Sequence, residues 1–271
     1  MNPVLISIGG YDLHYYTVFV LIAVFIGFAL ARREAARFNI SKDFMFNLCF
    51  WTVIAGLIGA RVWFVIFNWT YYSENLGQII RTWNGGLAIH GGIIFGMITA
   101  YLYCKKYKVN VLRYFDIMAL PLLFGQAIGR WGNFFNQEAH GAATTAERIS
   151  NFFTPNFVVQ GMHIDGVYYT PTFYYEFLAC MILFIVLLFV RRAQYVKIGT
   201  ITGLYLIGHG IIRFILEMTR TDALMLGGFR VAQIVTVVMF LVGIIIVMIN
   251  SRKNKFEDLY NDASNIEKST F

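Results

Sequence analysis

Apolar residues along this chain come in seven long runs separated by short polar intervals. A helix that crosses a bilayer needs about 20 predominantly apolar residues. Runs of that order lie at residues 14–31, 44–67, 86–104, 114–130, 173–190, 199–217 and 229–250. The pattern predicts an all-α integral membrane protein with seven transmembrane helices, and no internal repeat is visible in it. The intervals between the runs differ in charge. Arg32, Arg33, Arg37 and Lys42 follow the first span, and Lys105, Lys106, Lys108 and Arg113 the third. Arg191, Arg192 and Lys197 follow the fifth, and Arg252, Lys253, Lys255 and Lys268 the seventh. These are 15 of the 22 basic residues, all in alternate intervals, whereas the opposite intervals hold only Arg81, Arg148, Arg220 and Arg230. Basic residues accumulate on the cytoplasmic side of a membrane. The N-terminus is therefore expected outside and the C-terminus in the cytoplasm, which an odd number of spans requires.

The longest interval, about residues 131–172, separates spans four and five. It contains Pro155, Pro171, the pair Asp165-Gly166 and the alternating Phe157-Val158-Val159, which together predict a small extracytoplasmic subdomain with a β-hairpin. Residues 68–84 form a second outer segment rich in Trp and Tyr, as at a lipid headgroup interface. Residues 1–250 are expected to form one transmembrane domain, with 251–271 a polar, disordered cytoplasmic tail.

Composition agrees with the membrane assignment. The chain is 58% hydrophobic and 14% charged, where a soluble domain carries about 25% charged residues. Its net charge of +7 does not point to nucleic acid, because the basic residues sit in short clusters between apolar runs. No cleavable signal peptide is expected, since the first residues lack a basic segment and a small-residue cleavage site. Cys49, Cys104 and Cys180 lie in or beside apolar segments without metal or redox spacing and read as small core residues.

The topology turns scattered polar residues into a map. Gly125–Gly141, GQAIGRWGNFFNQEAHG, sets Arg130, Asn133, Asn136, Glu138 and His140 at the end of an apolar run, where polar groups are expensive and usually functional. Tyr16 opens span one on the outer side, and Arg61 falls in the outer half of span two. His90 lies near the outer start of span three, between Gly85-Gly86 and Gly91-Gly92. Span six carries His209, Arg213, Glu217 and Arg220 on one helical face. At about 1.5 Å per residue, Arg213 stands roughly 20 Å from the cytoplasmic edge. All of these fall in the outer leaflet. Each also has a plainer reading. Tyr16 is an interfacial aromatic, Arg61 a side chain that snorkels or pairs with a neighbouring span, and His90 a core histidine. Arg213 and Glu217 neutralise one another, and the glycines beside His90 are helix-packing contacts. The convergence distinguishes the functional reading from these.

Protease signatures such as His-Glu-x-x-His or Gly-x-Ser-x-Gly are absent. The spans lack the aspartate cluster that would hold divalent cations. No spacing supports a metal site from His90, His140, His163 and His209. What remains is arginines, histidines, a tyrosine, glutamates and amides. Arginine's planar fork suits phosphate and stays charged when desolvated, so anionic phospholipid headgroups are the expected ligands. A transporter or flippase for anionic lipids would also use intramembrane arginines. It would place polar groups on both leaflets or break a helix near the midplane, and this map is one-sided. A structural scaffold leaves the arginines unexplained.

The run Gly129-Arg130-Trp131-Gly132-Asn133-Phe134-Phe135-Asn136-Gln137-Glu138, closing at Gly141, resembles the signature of the prolipoprotein diacylglyceryl transferase family. His90-Gly91-Gly92 after Gly85-Gly86, Arg213-Phe214 with Glu217 and Arg220, Tyr16, and Pro171 with Tyr175-Glu176 resemble further family elements in order, over about residues 10–250. Tyr15 and Thr17 stand where the family usually has Trp and Gly, and Thr170 where a histidine commonly precedes the proline.

The resemblance implies transfer of the diacylglyceryl group from phosphatidylglycerol to the lipobox cysteine of a prolipoprotein signal peptide. This reaction leaves a thioether and releases glycerol phosphate. It implies a multi-pass protein of the bacterial plasma membrane, surrounded by membrane lipids, with its site toward the outer leaflet and no cofactor. His90 is then the candidate base for the thiol, and Arg130 and Arg213 stabilise the leaving phosphate. Asn133, Asn136, Glu138 and Gly141 surround the headgroup, with Tyr16, Arg61, Glu217 and Arg220 as further phosphatidylglycerol ligands. A thiolate activated by arginine, with His90 structural, is the alternative.

Overall fold

The computed structural model of the chain describes residues 3–9, 11–82, 85–221, 225–226, 228–262 and 267–271. The last two positions of the aromatic outer segment predicted at 68–84 lie outside the described residues. A hairpin of β1 (Val4–Ile8) and β2 (Tyr11–His14) runs directly into α1 (Tyr15–Ala36). Next come α2 (Lys42–Phe67), the short α3 (Trp69–Glu74), α4 (Ile89–Lys106) and α5 (Val111–Asn136). The insertion holds β3 (Ala143–Thr144), α6 (Ala146–Ser150), α7 (Asn156–Gly161), β4 (His163–Ile164) and β5 (Val167–Tyr169). The chain closes with α8 (Thr172–Val190), α9 (Thr200–Glu217), the two-residue strands β6 (Met225–Leu226) and β7 (Phe229–Arg230), and α10 (Val231–Ser251).

Among the described residues, six helices are long and apolar enough to cross a membrane: α1, α2, α5, α8, α9 and α10. The 18-residue α4 also coincides with a predicted span, but His90, its glycines and the closing Lys105 and Lys106 dilute its apolar character. Large apolar side chains such as Phe25 on α1, Phe189 on α8 and Ile245 on α10 are exposed, as helices solvated by lipid tails require. The protein is thus a mostly helical integral membrane protein.

Two compact units form, one of Met1–Ala31 with Phe115–Asn265 and one of Arg32–Tyr114 with Ile266–Phe271. In the first, glycines let backbones approach closely. A Cβ on Gly243 would stand 2.6 Å from the Gly203 carbonyl, and one on Gly210 would stand 3.1 Å from the Thr236 carbonyl, which fixes α9 against α10. The N-terminus of α9 is capped from a distance. Asp116 of α5 accepts from the Gly199 amide at 2.5 Å and from the Thr202 amide and hydroxyl at 2.7 Å. The insertion is anchored to the last turns of α5 and the first turns of α8 by a core of Phe134, Ile149, Val158, Val159, Met162, Phe173 and Tyr174. Its sheet has the order β3-β5-β4. The β4–β5 turn is Asp165-Gly166, both with positive φ, as an Asp-Gly hairpin turn requires.

Three expectations change here. Residues Phe157-Val158-Val159, predicted as an alternating strand, lie in α7, and Val158 and Val159 face the same core. Helix α5 continues six residues past Arg130 to Asn136, because Trp131 and Phe134 pack into the insertion. The tail predicted to be disordered folds back. Lys197 Nζ donates to the carbonyls of Asn254, Lys255 and Glu257 at 2.5–2.8 Å, Tyr260 N bonds the Val196 carbonyl, and the Tyr260 ring is fully buried. Three carbonyls replace the hydration of one buried ammonium, which ties the tail down.

In the second unit, α2 and α4 meet through Gly59 and Gly91. A Cβ on Gly91 would lie 2.2 Å from the Gly59 carbonyl oxygen, and one on Gly59 would lie 2.7 Å from that of Gly91. The two glycines after His90 therefore serve packing, Gly92 against Gly56 likewise. Gly91→Ala should destabilise the protein by about 1–3 kcal/mol through overpacking. Thermal unfolding in detergent checks this, and an unchanged midpoint would contradict the close approach.

Candidate active site

Arg130 stands on α5, Glu176 one turn into α8, and Arg213 and Glu217 one turn apart on α9. Arg130 Nη2 lies 2.5 Å from Glu176 Oε1, Arg213 Nη1 lies 3.2 Å from Glu176 Oε2, and Arg213 Nη2 lies 2.6 Å from Glu217 Oε2. The four side chains form a ladder of alternating charge with no net charge. Its carboxylates are buried, with side chains 4% and 3% exposed, while the side chains of Arg130 and Arg213 keep 23% and 17% exposure. Charge at this depth is tolerable only when paired and hydrogen-bonded. Among the described residues Glu176 is the hydrogen-bond partner of Arg130, so most of that guanidinium's five N–H donors remain for a ligand. Arg230 Nη1 donates to the Glu217 carbonyl and ties the end of α9 to the segment before α10.

Asn133 and Asn136 follow Arg130 at helical spacing, and their Nδ2 groups both donate to Glu138 Oε1, at 3.0 and 3.1 Å. The chain reverses there through Gln137 and Ala139, both with positive φ. This amide–carboxylate cluster is exposed at Glu138. Tyr16 lies across α5 at Gly132, where a Cβ would come within 2.3 Å of its ring. Gly132 is therefore what admits the Tyr16 ring between the positions of Arg130 and Asn133. Tyr15, where the family usually has Trp, stacks on Phe135 at 4.1 Å and keeps an aromatic contact.

Gly141, expected beside the headgroup, is a packing position. Its amide bonds the Thr170 carbonyl, it pairs with Arg220 in an antiparallel bridge, and a Cβ there would meet Thr170, Thr172 and the Thr219 carbonyl at 2.9–3.1 Å. Thr170 adds a hydroxyl bond to the Ala142 carbonyl, so the residue in the histidine's place holds the insertion to α8. His209 is buried and stacked on Tyr205, whose hydroxyl accepts from Gln126 Nε2 at 2.9 Å.

His90 and Arg61 belong to the second unit. His90 is the half-buried second residue of α4. Arg61 differs from its expected role as a headgroup ligand. Its side chain donates to the carbonyls of Gln78, Ile79, Arg81, Gly85 and Gly86 and lies 5.2 Å over the Tyr72 ring. Five N–H donors meet five carbonyls, which is the geometry of a loop clamp with none left for phosphate. Gly86 has positive φ, and a Cβ there would strike Arg61 at 2.6 Å, so this glycine makes room for the clamp.

The residue that sequence reasoning left out of the site is Glu176. Its signal was present: α8 contains one acidic residue in 19, and a carboxylate inside an apolar span calls for a cation. Which cation it meets is decided by how α5 and α9 pack around it. Glu176→Ala should destabilise the protein by about 3–5 kcal/mol, since it strips the carboxylate shared by two partly buried cations. Glu138→Ala, at the exposed cluster, should stay within about 0.5 kcal/mol. Unfolding midpoints in detergent check both, and equal effects would count against the ladder.

The family described as prolipoprotein diacylglyceryl transferase matches residues 3–249. The phosphatidylglycerol–prolipoprotein diacylglyceryl transferase of Staphylococcus carnosus (strain TM300) is 40% identical over 258 residues, 95% of this chain and 92% of that one. The enzyme of the same name from Listeria monocytogenes serotype 4b (strain CLIP80459) is 40% identical over 253 residues, covering 93% and 91%. That of Clostridium novyi (strain NT) is 41% identical over 255 residues, covering 94% and 98%. With matches of this extent, the chain belongs to the prolipoprotein diacylglyceryl transferase family.

Proposed function

We infer that this protein is the transferase that moves the diacylglyceryl group of phosphatidylglycerol onto the cysteine thiol of a prolipoprotein, the first step of lipoprotein maturation. The observation that carries this reading is the ladder in which Glu176 holds Arg130 and Arg213 together inside a membrane protein. In the reaction the thiol loses its proton to a base, and sulfur attacks the glyceryl carbon esterified to phosphate. The carbon–oxygen bond breaks, its electron pair stays on the phosphate oxygen, and glycerol phosphate leaves. Charge builds on that phosphate. Two cations already oriented by buried carboxylates stabilise it with little reorganisation. Glu176 and Glu217 position the arginines, and Asn133, Asn136 and Glu138 offer donors and an acceptor for the glycerol hydroxyls. Tyr16 holds an ester or phosphate oxygen, and Gly141 and Arg220 brace the insertion against the end of α9. Arg61 serves the loop it clamps. No step needs a cofactor.

Seven spans, with α4 as the third, put the N-terminus outside and the basic intervals in the cytoplasm. On that topology the insertion and the arginines belong to the outer leaflet of the bacterial plasma membrane, where the lipobox cysteine of a secreted precursor emerges. The charge bias also sets the start of α4 in that leaflet. A thiol of ordinary pKa, about 8.5, needs a base at neutral pH, and His90 is the candidate.

Purified protein incubated with labelled phosphatidylglycerol and a lipobox peptide tests the assignment. Wild type should label the cysteine. Arg130→Ala should lose about 10²–10³-fold in turnover, the usual consequence of deleting a charge-stabilising donor. Arg130→Lys should stay well below wild type, because a point charge does not replace the planar fork. Equal labelling by wild type and Arg130→Ala would sink the reading. His90→Asn should lose about 10²-fold or more between about pH 6 and 9. Near-normal turnover there would transfer thiol activation to the arginines.

A further inference from the structure

A cavity of about 530 Å³ opens between the insertion and the outer turns of α8 and α9, and the chemistry above does not use it. On the helix side, Tyr175 and Leu216 line it. Each directly precedes a carboxylate of the ladder, Glu176 and Glu217, so the cavity lies along the same turns of α8 and α9 that carry the carboxylates, on a neighbouring helix face. On the insertion side, Thr144 comes from β3, an edge strand of the sheet ordered β3-β5-β4. The ladder of strand pairing continues past β3 through the bridge from Gly141 to Arg220, next to Thr219 in the cavity wall. Asn151 and Phe152 complete the rim. With Arg148, Ile149 and Thr170 the lining mixes hydroxyls, an amide and one cation with apolar side chains, and it contains no carboxylate.

Acyl chains do not suit such a place, because the insertion lies off the spans and the wall is interrupted by polar groups. An extended polypeptide does. Its main chain can add to an edge strand while alternate side chains enter a pocket, and the volume is that of a cleft for a small ligand or a few residues. The second substrate of this enzyme is a polypeptide that leaves the membrane at the reacting cysteine, on the side of the insertion. We propose that this cavity seats the residues that follow the acceptor cysteine, laid as an extended strand along β3. The thiol is thereby held beside the arginine pair. The inference rests on the transferase reading and on the outward placement of the insertion.

Two lipobox peptides test it with the full-length protein and phosphatidylglycerol, one amidated directly after the cysteine and one continuing for about six residues, a typical strand length. Wild type should favour the longer peptide by about tenfold or more in kcat/KM. Asn151→Trp and Thr219→Trp, at two separate points of the wall, fill the cavity and should bring that ratio toward unity. Because the ratio is taken within one protein, a general loss of activity cancels. Equal use of the two peptides by wild type, or an undiminished ratio in both filled variants, would overturn the inference alone. Transfer to neither peptide by wild type would strike down the transferase reading and the inference with it.

Discussion

A charge taken into a lipid-embedded helix bundle is tolerated only if an opposite charge meets it at hydrogen-bonding distance, and the ladder Arg130–Glu176–Arg213–Glu217 is where this chain meets that condition. The rungs come from α5, α8 and α9, so the balance holds only while those three helices keep their mutual positions. The burial is unequal. Both carboxylate side chains are enclosed and both arginine side chains stay partly open. An anion arriving at this site meets cations that are already oriented and already desolvated on their inner side, and this arrangement favours charge that develops during a reaction.

The packing around the ladder depends on small residues. Lipid tails are as apolar as leucine, so helices in a membrane associate through close contact and hydrogen bonds. Gly203, Gly210 and Gly243 bring α9 and α10 to backbone contact, and Gly132 admits the Tyr16 ring onto α5. Gly141 joins the insertion to α8 and to the turn after α9. At the other end of α9, Asp116 caps the helix from α5. A helix that is capped at its start, glycine-packed along its side and ion-paired in its last turns has little freedom to rotate its arginine away.

How much was legible in the sequence differs from residue to residue. The long helices were legible, because a bilayer imposes a minimum length on an apolar run whatever its neighbours are. The Asp165-Gly166 hairpin was legible because its turn needs two positive φ values. The alternation at 157–159 misled, because in α7 Val158 and Val159 reach one core from a short helix. Arg61 misled for a related reason. An intramembrane arginine is expensive whether it meets a lipid phosphate or five loop carbonyls, and sequence shows the expense without the partner. Lys197, counted only as a topological charge, is the group around which the tail folds.

By itself the sequence determined the number of long apolar runs, the alternation of basic intervals and the identity of the polar residues that interrupt the spans. These follow from composition along one dimension, because lipid solvates every span in the same way. Only the tertiary structure decided which charges pair. Glu176 lies 46 residues from Arg130 and 37 from Arg213 along the chain, and no periodicity links positions that far apart. Coulomb attraction acts across space, so the pairing was settled by the packing of α5, α8 and α9.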